Sequence, residues 1–274
     1  MPELPEVETV VRALDQALAG RVFVAARELG RVRLPFSQEE TKRLVLGRRI
    51  VGVRRRAKYI VIECAAAGGL LAHLGMTGSF RLEKPGVEVG KHDRIVLTLA
   101  DGEELRYADP RRFGFLKPVG LEGQERWPPE LARLGPEPLD PAFRASVLEA
   151  RAVGRRTPVK TFIMDQATVV GVGNIYASEA LFRSRIDPRR LAKDLSSAEW
   201  RRLVAAIRKI LRQAIQSGGS SIRNYRRVDG REGGFQRSLQ VYGRGGESCP
   251  ACDGEVEIIR QGGRSTFFCP RCQV

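Results

Sequence analysis

Val7, Val10, Val11, Leu14 and Leu18 recur at the spacing of one helical face, and Gly20 ends the run. A helix is therefore predicted to start within a few residues of Met1, with acidic residues in its first turn, where the helix dipole favours them. From Arg21 to about Pro118 the pattern changes to short β-rich runs: Val22 and Val24, Ile50–Val53, Tyr59–Glu63, Leu70–His73, Arg94–Leu99, Leu105–Tyr107 and Phe113–Leu116. Turn residues separate them, Gly68-Gly69 and Asp101-Gly102 among these, and so many short strands predict a sandwich or barrel.

A Pro- and Gly-rich stretch, 121–141, reads as a linker. Beyond it, Thr157–Asp165 and Ile175–Phe182 fit helices around the turn Val170-Gly171-Val172-Gly173-Asn174. Ser196 and Glu199 form a capping-box pattern. It opens a helix with Leu203, Ile207, Ile210, Leu211 and Ile215 on one face, ending at Gly218-Gly219. The polar, Arg- and Gly-rich segment 217–234 reads as a long loop, and the last forty residues as short strand pairs around four cysteines. The expected organisation is thus α+β and multidomain: a sandwich domain at 1–120, a helical domain at 142–234 and a cysteine-bearing hairpin at 235–274.

Composition narrows the partners. The 274 residues carry 47 Lys and Arg against 32 Asp and Glu, a net charge of +15. Only eight of the basic residues are Lys, and Arg is the side chain that forks onto phosphates and base edges. Such an excess suits a polyanion, with nucleic acid ahead of an anionic membrane surface or a merely Arg-biased composition. No apolar run approaches the ~20 residues that span a bilayer, and the start MPELPEVETV lacks the apolar core of a secretory signal, so a cytoplasmic protein is expected.

Cys64, in an apolar run, reads as a buried thiol. Cys249, Cys252, Cys269 and Cys272 form two C-x-x-C pairs separated by sixteen residues, a spacing that places four thiolates around one zinc ion. A closed four-Cys site leaves no open coordination position, so one structural Zn2+ is expected to fold the module rather than do chemistry. Between the pairs, Val256–Ile259 and Ser265–Phe268 read as a hairpin whose tip carries Arg260 and Arg264, at least one of which is expected to face a phosphate.

The chain start has a chemistry of its own. Removal of Met1 would leave Pro2 with a secondary amine, and an α-amino group titrates near ~7.8, well below a lysine. Such an amine is a nucleophile toward a sugar C1′, and its iminium adduct has no N–H to lose, so it persists as an electron sink. Glu3 could open the sugar ring as an acid, with Glu6 one turn away supporting the amine. Taken in isolation, the same residues also read as an ordinary acidic helix start.

MPELPEVE at the start, HLGMTG at His73–Gly78, DPRRFG at Asp109–Gly114, VVGVGNIYASE at Val169–Glu179 and the four-Cys end occur in order along the whole chain. Together they resemble bacterial formamidopyrimidine-DNA glycosylase. The resemblance implies an N-terminal β-sandwich, a helix-two-turn-helix domain and a zinc-finger hairpin. It also implies a bifunctional glycosylase and abasic-site lyase that removes 8-oxoguanine and formamidopyrimidines from double-stranded DNA and cuts the strand by β,δ-elimination.

By the same resemblance Pro2 is the Schiff-base nucleophile, Glu3 the proton donor, Lys58 the residue of the β-elimination step and Arg264 that of δ-elimination. A guanidinium is a poor acid, so Arg264 is better read as a phosphate clamp. Met76, Arg111 and Phe113 match the trio that fills the void left by an everted base, and His92, Arg155 and Asn174, with His73 more weakly, match DNA contacts. The segment Ile222, Arg223, Asn224 and Tyr225 matches the loop that closes over the lesion. A monomer is expected. Two alternatives stay open: an endonuclease VIII-like enzyme for oxidised pyrimidines, against which Leu4 argues, and a non-catalytic zinc-finger DNA-binding protein, favoured if Met1 is retained.

Overall fold

The computed structural model describes residues 2–121, 127–220 and 233–274. Ile222, Arg223, Asn224 and Tyr225 lie outside these, so the expectation for the lesion loop has no structural counterpart here. The chain divides into two compact units, Met1–Arg133 with Gly218–Gly234, and Leu134–Ser217 with Phe235–Val274. The first break falls within the Pro/Gly-rich stretch.

The first unit opens with α1 (Leu4–Leu18), which carries Val7, Val10, Val11, Leu14 and Leu18 into the core. Eight strands follow: β1 (Phe23–Glu28), β2 (Ile50–Arg56), β3 (Tyr59–Cys64), β4 (Gly68–His73), β5 (Ser79–Glu83), β6 (Asp93–Leu99), β7 (Glu104–Ala108) and β8 (Phe115–Gly120). They form two antiparallel four-stranded sheets, ordered β1-β6-β7-β5 and β2-β3-β4-β8. Ile60, Ile62, Leu70 and Leu116 from one sheet and Phe23, Phe80, Ile95 and Leu97 from the other share one core, which makes a sandwich.

Several predicted boundaries shift for physical reasons. Gly68 and Gly69 are not the turn but the start of β4; a Cβ there would meet the Leu44 carbonyl oxygen at 2.0 Å and that of Ile62 at 2.4 Å. The turn before them is made by alanines, with Ala66 and Ala67 at positive φ. β8 begins at Phe115, leaving Phe113 in the preceding loop. The short helix α2 (Gln38–Leu44) and strand β5 lacked a strong enough pattern to be foreseen, because each has only one or two buried positions.

The second unit holds α3 (Ala145–Ala152), α4 (Val159–Met164), α5 (Asn174–Ser184), α6 (Ser197–Gln216) and the hairpin β9 (Glu257–Gln261) and β10 (Arg264–Phe268). α4 starts two residues later than predicted because Pro158 takes the N-cap position. The capping box of α6 forms as expected, with the Glu199 carboxylate accepting from Ser196 N at 2.8 Å. Gly262 and Gly263 turn the hairpin with φ of +54° and +75°, values that suit glycine at both central positions of a two-residue loop. None of the described helices is long and apolar enough to cross a membrane.

Candidate active site and zinc module

Glu3 is the N-cap of α1, and a capping box joins it to Glu6. The Glu6 carboxylate accepts the Glu3 backbone N–H at Oε2 (2.8 Å), and both side chains are buried. That N–H belongs to the peptide linking Pro2 to Glu3, so Glu6 fixes the plane from which the pyrrolidine ring projects. Its other oxygen, Oε1, accepts the Ser220 N–H at 2.7 Å. Gly219 permits the approach: its φ is +83°, and a Cβ there would sit 3.1 Å from the Glu6 side chain. One buried carboxylate therefore ties the chain start to the root of the segment beyond Ser220. Pro2 is itself buried.

Lys58 occupies the two-residue turn between β2 and β3, where Arg56 pairs with Tyr59 and Ala57 takes φ of +56°. The turn keeps Lys58 only 7% exposed. His73, opposite Tyr59 on β4, forms a three-ring cluster with Tyr59 and Phe115 and accepts the Gly75 N–H at Nδ1 (3.1 Å). Burial, then the charges of Lys58 and Arg33, push its pKa down to about 4, so it is neutral at neutral pH. Through Nδ1, His73 supports the turn that follows it.

Met76 sits in that turn, and Arg111 and Phe113 sit in the loop between β7 and β8. The two loops meet at Asp109, which is 1% exposed. Its Oδ1 accepts from the Thr77 hydroxyl at 2.6 Å and the Arg111 N–H at 3.2 Å; its Oδ2 accepts from the Gly114 N–H at 2.8 Å. The Arg111 guanidinium stacks 4.6 Å from the Phe113 ring centroid, and Phe113 stays 45% exposed. A large aromatic left in solvent on a fixed backbone is suited to an apolar partner. His92 is exposed, and its carbonyl oxygen accepts the Asp109 N–H at 3.0 Å.

In the second unit, Gly173 caps α5 and Asn174 is the first helical residue. The Asn174 side chain works internally: Oδ1 accepts from Lys160 Nζ at 2.6 Å, and Nδ2 donates to the Ser265 carbonyl oxygen at 2.9 Å. Lys160, 1% exposed, also donates to that Ser265 oxygen at 3.1 Å and to Thr266 Oγ1 at 2.7 Å. The pair thus fastens β10, and with it the exposed Arg264 at its start, to the N-terminus of α5. Glu179, fully buried, accepts the N–H groups of Gln240, Val241 and Tyr242 at about 3 Å. Arg155 is exposed just after α3.

The four cysteine sulfurs lie within 4.8 Å of one another. A tetrahedral zinc with sulfur ligands at about 2.3 Å sets its sulfurs about 3.8 Å apart. Here Cys249 and Cys272 are 3.8 Å apart, and Cys252 and Cys269 3.6 Å. The Ala251 N–H points at Cys249 Sγ and the Gly254 N–H at Cys252 Sγ, donors that favour thiolates. The donor set fits a single structural zinc, held by Cys249, Cys252, Cys269 and Cys272.

Asp109, Thr77, Lys160 and Glu179 were not singled out from the sequence as functional. Asp109, Thr77 and Glu179 stand inside motifs already noted. Lys160 had one visible signal, a lone charge at an inward position of an otherwise apolar turn, flanked by Val159, Phe162 and Ile163.

Sequence profiles agree along the chain. The formamidopyrimidine-DNA glycosylase N-terminal domain matches residues 1–116, the H2TH domain of the same enzyme matches 134–226, and the zinc finger found in FPG and IleRS matches 246–274. A formamidopyrimidine-DNA glycosylase of Pseudomonas aeruginosa is 48% identical over 281 residues, covering all of both chains. The MutM (FPG) protein of Thermus thermophilus is 43% identical, with a TM-score of 0.87 over 99% of this chain and 98% of that one. A Lactococcus lactis FPG variant, solved with DNA containing Fapy-dG, is 34% identical with a TM-score of 0.90, covering 99% of each chain.

Proposed function

Because the chain belongs to the formamidopyrimidine-DNA glycosylase family, we propose that its reaction starts at the Pro2 amine, freed by removal of Met1, and proceeds through Glu3, Glu6, Lys58 and Arg264. The protein is a base-excision repair glycosylase acting on oxidised purines, with abasic-site lyase activity, and its partner is damaged DNA.

The target base must first leave the helix, which costs a few kcal/mol in stacking and pairing. Met76, Phe113 and Arg111 fill the space it vacates: a flexible apolar plug, an aromatic wedge and a guanidinium for the widowed cytosine. The Pro2 nitrogen attacks C1′; the N–C1′ bond forms as the glycosidic bond breaks, and the base departs with that electron pair and takes up the proton that the Pro2 nitrogen loses. Glu3 protonates O4′, the C1′–O4′ bond opens, and an iminium remains. Loss of a C2′ proton, assisted by Lys58, expels the 3′ phosphate. Loss of a C4′ proton expels the 5′ phosphate, whose charge Arg264 offsets. Water then hydrolyses the imine and releases Pro2. His92, Arg155 and the peptide groups around Asn174 hold the flanking phosphates. The enzyme works as a cytoplasmic monomer.

The observation that supports this reading is the buried capping box at the chain start. Glu6 holds the Pro2–Glu3 peptide rigid, and Glu3 stands beside the residue that would carry the amine. Borohydride added to the enzyme and a duplex with 8-oxoguanine opposite cytosine should trap a covalent adduct, and peptide mass spectrometry should place it on residue 2. An adduct mapped to a residue other than 2, or a trapped enzyme that retains Met1, would exclude Pro2 as the nucleophile.

A further inference from the structure

Asp109 and Thr77 are both set back from the exposed tips of their loops, yet they join those loops into one body. The Thr77 hydroxyl donates to Asp109 Oδ1 and also lies 3.3 Å from the Arg111 N–H, so the Arg111 amide is shared between Thr77 and Asp109. The glycines beside them leave no room for the loops to slide. A Cβ on Gly75 would meet Gly114 N at 2.4 Å, and one on Gly114 would meet the His73 carbonyl oxygen at 2.3 Å. Arg33 donates to the Phe113 carbonyl oxygen at 3.1 Å, fixing the backbone below the exposed ring.

From this geometry we infer that Thr77 and Asp109 are positioning residues, which set Met76, Arg111 and Phe113 as a single preformed wedge that enters the duplex as one. Two loops that ordered separately would each lose conformational freedom at the moment of insertion; a wedge already hydrogen-bonded at its base has lost that freedom during folding. The inference rests on the proposed void-filling role of the three residues and adds what holds them in register. Thr77 touches neither the sugar nor the reacting base in this scheme and acts only through its neighbours.

The test is a double-mutant cycle on single-turnover excision of 8-oxoguanine opposite cytosine. Thr77→Val keeps the shape and removes both hydrogen bonds; roughly 10- to 30-fold slower excision is expected. Thr77→Ser restores the hydroxyl and should restore the rate, a rescue that loss of packing alone would not give. In a Phe113→Ala background, Thr77→Val should cost less than in the wild type, since the wedge has already lost its aromatic part and only Met76 and Arg111 remain to be positioned. A Thr77→Val enzyme at the wild-type rate, or one whose loss is fully additive with Phe113→Ala, overturns the inference while leaving the void-filling reading intact. A Phe113→Ala enzyme at the wild-type rate removes that reading and the inference with it. If Thr77→Val lowers the melting temperature, Thr77→Ala, which adds no bulk against Asp109, takes its place in the same cycle.

Discussion

Between the two sheets of the first unit, α1 and eight strands bury a continuous apolar layer from Val7 to Leu116. Beneath the β9–β10 hairpin, by contrast, the apolar cluster comprises Phe182, Val241, Cys249, Val256 and Cys269, and two of those five are metal ligands. The sandwich has enough area to hold its loops by burial, and adds one buried carboxylate, Asp109, where two loops must meet. The hairpin is too small for that, so its position depends on four thiolates and on the hydrogen bonds of Lys160, Asn174 and Glu179. Each region presents exposed residues, Phe113 in one and Arg264 in the other, but the energy that fixes them differs in kind.

The largest effect expected from breaking this contrast is on metal removal. Structural zinc stabilises finger peptides by ~10–16 kcal/mol, so a strong chelator, or Cys269→Ser, should unfold β9 and β10 while leaving the sandwich protected. Hydrogen exchange followed by mass spectrometry should show fast exchange confined to the region around 246–274; protection persisting there without metal would contradict the metal's folding role. A core truncation should do the reverse. Leu70→Ala, at a fully buried site of β4, should cost about 2–5 kcal/mol in denaturant unfolding of the sandwich with zinc content unchanged.

The smallest effect is one of pH. His73 has a folded pKa of about 4 against an ordinary 6.5. The unfolded chain therefore takes up the proton first on acidification, and stability falls as pH drops from about 6.5 toward 4, by ~1–3 kcal/mol, and is fully present above 6.5. The chain has only one other histidine, the exposed His92. His73→Asn, which can still accept the Gly75 N–H but does not ionise, should flatten that part of the urea-unfolding profile; an unchanged slope would refute the assignment.

Elements with a strong repeat were legible in the sequence: α1, α6 with its capping box, the central strands and the four-Cys hairpin all follow from side-chain spacing. Pro2, Glu3 and Glu6 stood out in the sequence as residue types suited to the proposed chemistry, and the structure joins Glu3 and Glu6 in one capping box. Positions that depend on another part of the chain were not. Gly68 and Gly69 look like a turn until Leu44 and Ile62 are seen against them. Nothing in the sequence near His73 shows that its ring packs against Tyr59 and Phe115 and accepts the Gly75 N–H.

The order of hydrophobic positions and the cysteine spacing determined by themselves the α+β architecture and the zinc module, because periodicity and ligand spacing are local properties of a chain. Only the tertiary structure decided that Glu6 bridges Glu3 to Ser220, that Asp109 joins the Thr77 turn to the Arg111 loop, and that Lys160 and Asn174 fasten β10. Each of these rests on a buried polar group, Glu6, Asp109 or Lys160, with a partner distant in sequence. Its hydrogen bonds are obligatory once water is excluded, but which partner supplies them is set by how the elements pack.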